Sequence, residues 1–200
     1  MTVTLHPPDI EAAHHLLIPA LASPGEDFDW EAIFARAVSL PAGARVLAAT
    51  AYELVEARRA LALWEIPARL DAAGMQRVVD ALCISHGAVG ATPDPRRVAS
   101  GPRSAEHAAV AHVLASPRLA DRVGPHVHTD GFDWFGLLAA AQTMSRGQRL
   151  LVDIAHDLWT RGEAVSVREV SRSLDTGSFV RVVEALAASR HAFPTPRLAA

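Results

Sequence analysis

The chain has no lysine, no asparagine and a single cysteine, and aromatic residues make up only 6% of its 200 positions. All nineteen basic side chains are therefore arginine. GC-rich coding explains that uniformity more simply than selection for guanidinium forks at carboxylates or phosphates. One cysteine excludes an intramolecular disulfide. Cys83 lies between Leu82 and Ile84 on a predicted helix and reads as a small core residue, not a nucleophile. No window approaches eighteen uninterrupted apolar residues, and the start MTVTLHPPDIEAAHH lacks a basic stretch followed by an apolar run. Neither a membrane span nor a secretory leader is expected, and the expected location is the cytoplasm. A glycine-rich phosphate loop, a G-x-S-x-G elbow, an H-E-x-x-H helix and a cysteine cluster are also missing, so no reaction class is named by motif. A net charge of -3 lacks the basic excess of a non-specific nucleic-acid binder.

Half of the residues are apolar, enough for a sizeable core, and alanine, leucine, valine and arginine dominate. Alanine and unbranched side chains lose little freedom in a helix, so an all-α fold without a sheet is expected. The organising feature is a stretch that occurs twice. Phe28 to His86 aligns without a gap on Phe132 to Arg190 at an offset of 104, with 20 of 59 positions identical. Both copies open on Phe-Asp-Trp and close on L-D-x5-R-V-V-x-A-L. The reading is a tandem duplication of a unit of about four helices: residues 1–90, a Pro/Gly-rich linker at 91–103, and residues 104–200. The letters LASP at Leu21–Pro24 and Leu114–Pro117 extend the unit to a leading helix at an offset of 93, leaving about eleven extra residues before the second Phe-Asp-Trp.

Taken in order, Asp9 is expected to cap a helix running to about Leu21, with Pro19 as a kink or end. Asp29 and Asp133 cap the next helix of each copy, with Phe28 and Phe132 as hydrophobic staples on Ile33 and Leu137. A long helix follows, its apolar stripe Val46, Leu47, Thr50, Ala51, Leu54 and Val55 in copy one. In copy two Ser145 and Gln148 have capping-box spacing. Arg45 and Arg149 recur in the first turn, where a positive charge opposes the helix dipole, so a carboxylate is expected to use them: Glu65 and Glu169, or Asp71 and Asp175. The last two aspartates also cap the final helices, whose faces Met75, Val78, Val79, Leu82 and Phe179, Val182, Val183, Leu186 have the spacing of a single buried stripe.

Three groups of residues could carry function. His126, His128 and Asp130, with His107 and His112 on the preceding helix, are candidate metal ligands, because alternating histidines project to one side of an extended segment. Five-residue spacing separates His107 from His112 around a helix by roughly 140°, so the same histidines read more simply as a solvated loop. The segment Ala164 to Ser189 resembles in outline the helix-turn-helix of bacterial regulators, which implies a DNA-reading helix with Thr176, Ser178 and Arg181 as contacts. Its outer face carries few bases for phosphates and base edges. Trp64 is replaced by Arg168 in copy two, so it reads as an exposed anchor for a partner. The favoured function is a non-enzymatic adaptor or structural protein that binds another protein or itself, with no cofactor. A helix-turn-helix regulator is the alternative, and a metal-dependent enzyme using the histidine-rich loop a lesser one.

Overall fold

The computed structural model describes residues 6–17, 28–88, 90–98 and 104–189, which are mostly helical. Among the described residues eleven α-helices follow one another: α1 (Pro7–Leu16), α2 (Trp30–Val38), α3 (Ala42–Glu56), α4 (Glu65–Arg69), α5 (Ala72–His86), α6 (Ala105–Leu114), α7 (Ala120–Val123), α8 (Trp134–Ala141), α9 (Arg146–Thr160), α10 (Val167–Ser173) and α11 (Thr176–Ser189). Side-chain caps set most of their starts. Asp29 accepts from the Ala32 amide, Asp71 from Gly74, Asp133 from Gly136 and Asp175 from Ser178. Ser104 caps α6, and Ser145 with Gln148 forms the expected capping box on α9. Each satisfies amides that the first helical turn leaves without partners. Asp29 and Asp133 share the same backbone angles, φ -77° and ψ 85°.

Helices α3 and α9 both end in a left-handed residue that is not glycine, Ala57 at φ 56° and Arg161 at φ 58°, and these positions are also 104 apart. The predicted stripes are buried: Val46, Leu47, Thr50, Ala51, Leu54 and Val55 on α3, and both sets of four on α5 and α11. Helix α1 packs on α3 and α5, while α6 packs on α9 and α11. Between the two halves α5 meets α11, α4 meets α11, and α10 meets α5 and α3. The buried apolar residues of both halves form one continuous cluster.

Three expectations need correction. Helix α1 begins at Pro7 with His6 in the cap position, since proline tolerates the first turn, and Asp9 lies inside it, 1% exposed. It ends at Leu16; the expected stretch beyond 17, Ser23 to Gly25 and the tail from 190 lie outside the described residues. A small sheet exists: Val127–His128 pairs antiparallel with Gly131–Phe132, a hairpin within the extra residues ahead of the second Phe-Asp-Trp. The described part of the Pro/Gly-rich segment 91–103 lies against the second half. Pro95–Arg97 forms a 3-10 turn against α11, and Val98 is buried.

Candidate functional site

Two buried acids occupy matched places near the ends of α3 and α9. Glu53 Oε1 accepts from the Ala60 and Leu61 amides at 2.6 and 2.8 Å. Asp157, 104 residues later, accepts from Val165 at 2.7 Å and is also held by the Ala164 amide. The difference is one methylene. Glu53 reaches further, and its Oε2 accepts from the Val167 amide at 2.9 Å, capping the first turn of α10 in the other half. Burial raises the pKa of both acids despite these hydrogen bonds. Asp153 is raised as well, by burial and then by the adjacent Asp157 charge.

A second pair of sites clamps the leading helices. Arg77 donates to the His15 carbonyl at the end of α1, and Asp80 lies 3.6 Å from the His15 ring. Arg181 donates to the His112 carbonyl near the end of α6 at 2.9 Å, and Glu184 Oε2 lies 3.0 Å from His112 Nε2. Arg77 and Arg181 are 104 apart, as are Asp80 and Glu184. The first clamp is open to water, with His15 and Asp80 side chains 38% and 45% exposed, and the second is enclosed, at 10% and 4%. Glu184 Oε1 also accepts from the Asp94 amide and pairs with Arg97 at 3.4 Å, fastening the 3-10 turn. Burial lowers the pKa of His112, while its bond to Glu184 acts the other way. Bonding to a carboxylate through Nε2 assigns the proton of neutral His112 to that nitrogen, leaving Nδ1 toward Arg181 Nη1 at 3.5 Å.

Asp9 makes a third buried set between the halves. Ser85 donates to it at 2.7 Å, Arg172 pairs with it directly, and Arg168 stands 3.8 Å away. Ser85 also reaches Ser171 at 3.1 Å, and the His86 ring stacks on Phe179 with centroids 4.0 Å apart. These groups tie α1 and α5 to α10 and α11.

The structure does not bring the predicted metal ligands together. His126 Nδ1 bonds Asp133, the α8 cap, at 3.0 Å, and His128 and Asp130 are exposed. His107 packs on Phe132 and Trp159, and His112 is in its clamp. No group of three ligating side chains suited to a metal ion occurs among the described residues. The Gly136 amide and then His126 hold the Asp133 pKa below its usual value. Gly136 has no room for a methyl, because His126 and the Asp133 carboxylate fill that space; the matching position in the first half is Ala32.

Helix α11 lies inside, not on a reading surface. Ser178 is buried on Asp175, Arg181 is engaged by α6, and Thr176 is exposed. Trp64 is half-buried, not exposed, with the Arg161 guanidinium carbon 5.8 Å from its ring centroid. Its counterpart Arg168 donates to the Val55 carbonyl across the halves. The carboxylates proposed for Arg45 and Arg149 have other partners. Glu65 pairs with Arg69, Glu169 completes a capping box with Ser166, and Asp175 pairs with Arg118. Arg149 instead donates to the Ala141 and Gln142 carbonyls, where α8 ends and a positive charge suits its dipole.

The outer surface offers one further contrast. Val38 and Phe135 are the two large apolar side chains found exposed among the described residues, and they lie on the matched helices α2 and α8. Phe135 is 88% exposed. With Leu138, half-buried against the core, Ala139 and the C-cap residue Gln142 it forms one face of α8, whose residues WFGLLAAA carry no charge. The residue matching Phe135 in the first half is Glu31. No helix among the described residues is long and apolar enough to cross a membrane. No family model, curated protein or solved structure matches the chain.

Proposed function

We propose that this chain is a tandem duplication of one helical unit and acts as a non-enzymatic interaction protein that docks through the outer face of α8. The observation that carries the docking reading is Phe135, a large apolar ring left in water on an uncharged helix. A lone exposed apolar residue needs no explanation, but a ring that continues into a face at helical spacing marks a contact surface. The repeated Phe-Asp-Trp and the matched acids have structural work: caps, clamps and bonds between halves.

Duplication accounts for the matched bounds of α3 and α9, and for the reciprocal packing in which α4 meets α11 while α10 meets α5. Such reciprocity marks an interface between two like units. The clamped histidines align the leading helices at an offset of 97 rather than 93. Buried Ala12, Ala13, Leu16 and Leu17 then fall on Ala109, Val110, Val113 and Leu114. Copy two would carry seven extra residues in place of eleven. The regulator reading draws no support from α11, whose residues Ser178, Phe179, Val182 and Glu184 face the interior.

A photo-reactive amino acid placed at 135 or at 31 tests the docking reading in cells. Cross-linking is expected from 135, to be lost when Ala139→Glu puts a charge in the face, and to be absent from 31. Equal labelling from both positions, or labelling that ignores Ala139→Glu, contradicts it.

A further inference from the structure

We propose that the occupant of the α8 face is the α8 face of a second copy, the two helices lying antiparallel about a two-fold axis. This rests on the docking reading above and names its partner. The argument is the distribution of charge along α8. Its start is acidic: Asp133 is the cap, its pKa held low by the Gly136 amide and by His126, and Asp130 lies exposed in the hairpin turn just before it. Its end is basic. Arg122 donates to Thr143 at 3.1 Å, and Arg149 to Ala141 and Gln142. Between these poles lie Phe135, Leu138, Ala139 and Gln142, with no charge.

A surface with an acidic end, an apolar middle and a basic end is complementary to itself only when reversed. A parallel pair would set acid on acid and arginine on arginine. The antiparallel pair sets each acidic end on the other copy's arginines, and opposes the helix dipoles favourably. The two-fold axis then passes between Leu138 and Ala139, so Phe135 lies over the partner's Gln142 and beside its guanidinium groups, where an aromatic face attracts a cation. Ala139 lets the backbones approach closely. An eight-residue helix is about 12 Å long, so the contact belongs to the small, reversible class of interfaces.

Sedimentation velocity of the full chain over a range of concentrations is the test. Wild type is expected to shift reversibly from monomer to dimer, with no larger species. Phe135→Glu, the residue of the first half, is expected to weaken association at least tenfold with unchanged far-UV circular dichroism and melting. Arg122→Glu and Asp130→Arg should each weaken it, and the double variant should restore it, because reversal exchanges both members of each cross-copy pair. A chain monomeric throughout, association indifferent to Phe135→Glu, or a double variant no better than the singles would overturn the proposal. Growth beyond a dimer would also overturn it, in favour of α8 docking on α2, with its exposed Val38, of the next copy. If the chain is a strict monomer yet cross-links from 135 to a different protein and loses that link with Ala139→Glu, self-association falls while the docking reading stands. Without that link, both fall.

Discussion

The clamp around His15 and the clamp around His112 use the same three parts: an arginine on a backbone carbonyl, an acid on an imidazole, and the helix that carries both. One stands in water and the other is enclosed. An exposed ion pair is screened and contributes almost nothing, whereas an enclosed acid cannot lose its partners without leaving them unsolvated. Similar letters therefore carry different weight in the two halves. The same lesson holds for Glu53 and Asp157, where one methylene decides whether an acid serves its own loop alone or also caps a helix across the seam.

Breaking the clamps should separate the halves most widely. Glu184→Ala leaves the Asp94 amide and His112 without their acceptor, and is expected to cost about 2–3 kcal/mol in urea unfolding. Asp80→Ala is expected to cost under about 0.5 kcal/mol. Equal losses would break the comparison. Glu53→Asp keeps the geometry that Asp157 uses for its loop but withdraws the acceptor from Val167, for an expected cost of about 1–2 kcal/mol by the same measurement. A neutral result would mean that the seam bond contributes nothing.

Acid sharpens the contrast further. The folded pKa of His112 lies below its unfolded value, near 6.5, so the unfolded chain takes up the proton first as pH falls. The contribution of His112 is thus fully present above that unfolded value and is lost as pH drops toward the lower folded one. The raised acids Glu53, Asp153 and Asp157 act in the opposite sense: their contribution is full below the unfolded carboxyl values and is lost as pH rises through the folded ones. Stability measured from pH 7 to about 5 should therefore fall less steeply in His112→Gln, which keeps a donor toward Glu184, than in wild type. His112→Gln with an unchanged slope would remove the enclosed imidazole from the account.

The smallest effect is expected where α3 and α9 end. Ala57→Gly relieves a left-handed backbone and should stabilise by about 0.5–1 kcal/mol, read as a raised urea midpoint. Arg161→Gly gains the same relief but loses the contact with Trp64, so its net gain should be smaller.

What was legible in the sequence was local. An aspartate or serine three residues ahead of the amide it serves is a short-range signal, and Asp29, Asp71, Ser145 and Asp175 all follow it. Apolar spacing likewise marked the inner faces of α3, α5 and α11. What was not legible depended on partners distant in sequence. Glu53 finds Val167 114 residues away, and nothing in its neighbours announces that. Asp9 has the form of a cap, but burial against Arg172 gives it another role. Arg149 was expected to need an acid and uses carbonyls instead, because the end of α8 returns to it in space. The histidines read as a solvated loop, with a metal as the lesser reading, but His126 bonds the Asp133 carboxylate and His112 is half of an enclosed clamp.

The central claim is that two similarly built halves form one body whose contact surface belongs to the second. Hydrogen exchange at low and high protein concentration tests it directly. Protection of 134–141 should rise with concentration while that of the matched 30–38 stays constant; a change confined to 30–38, or shared equally by both helices, would contradict the claim.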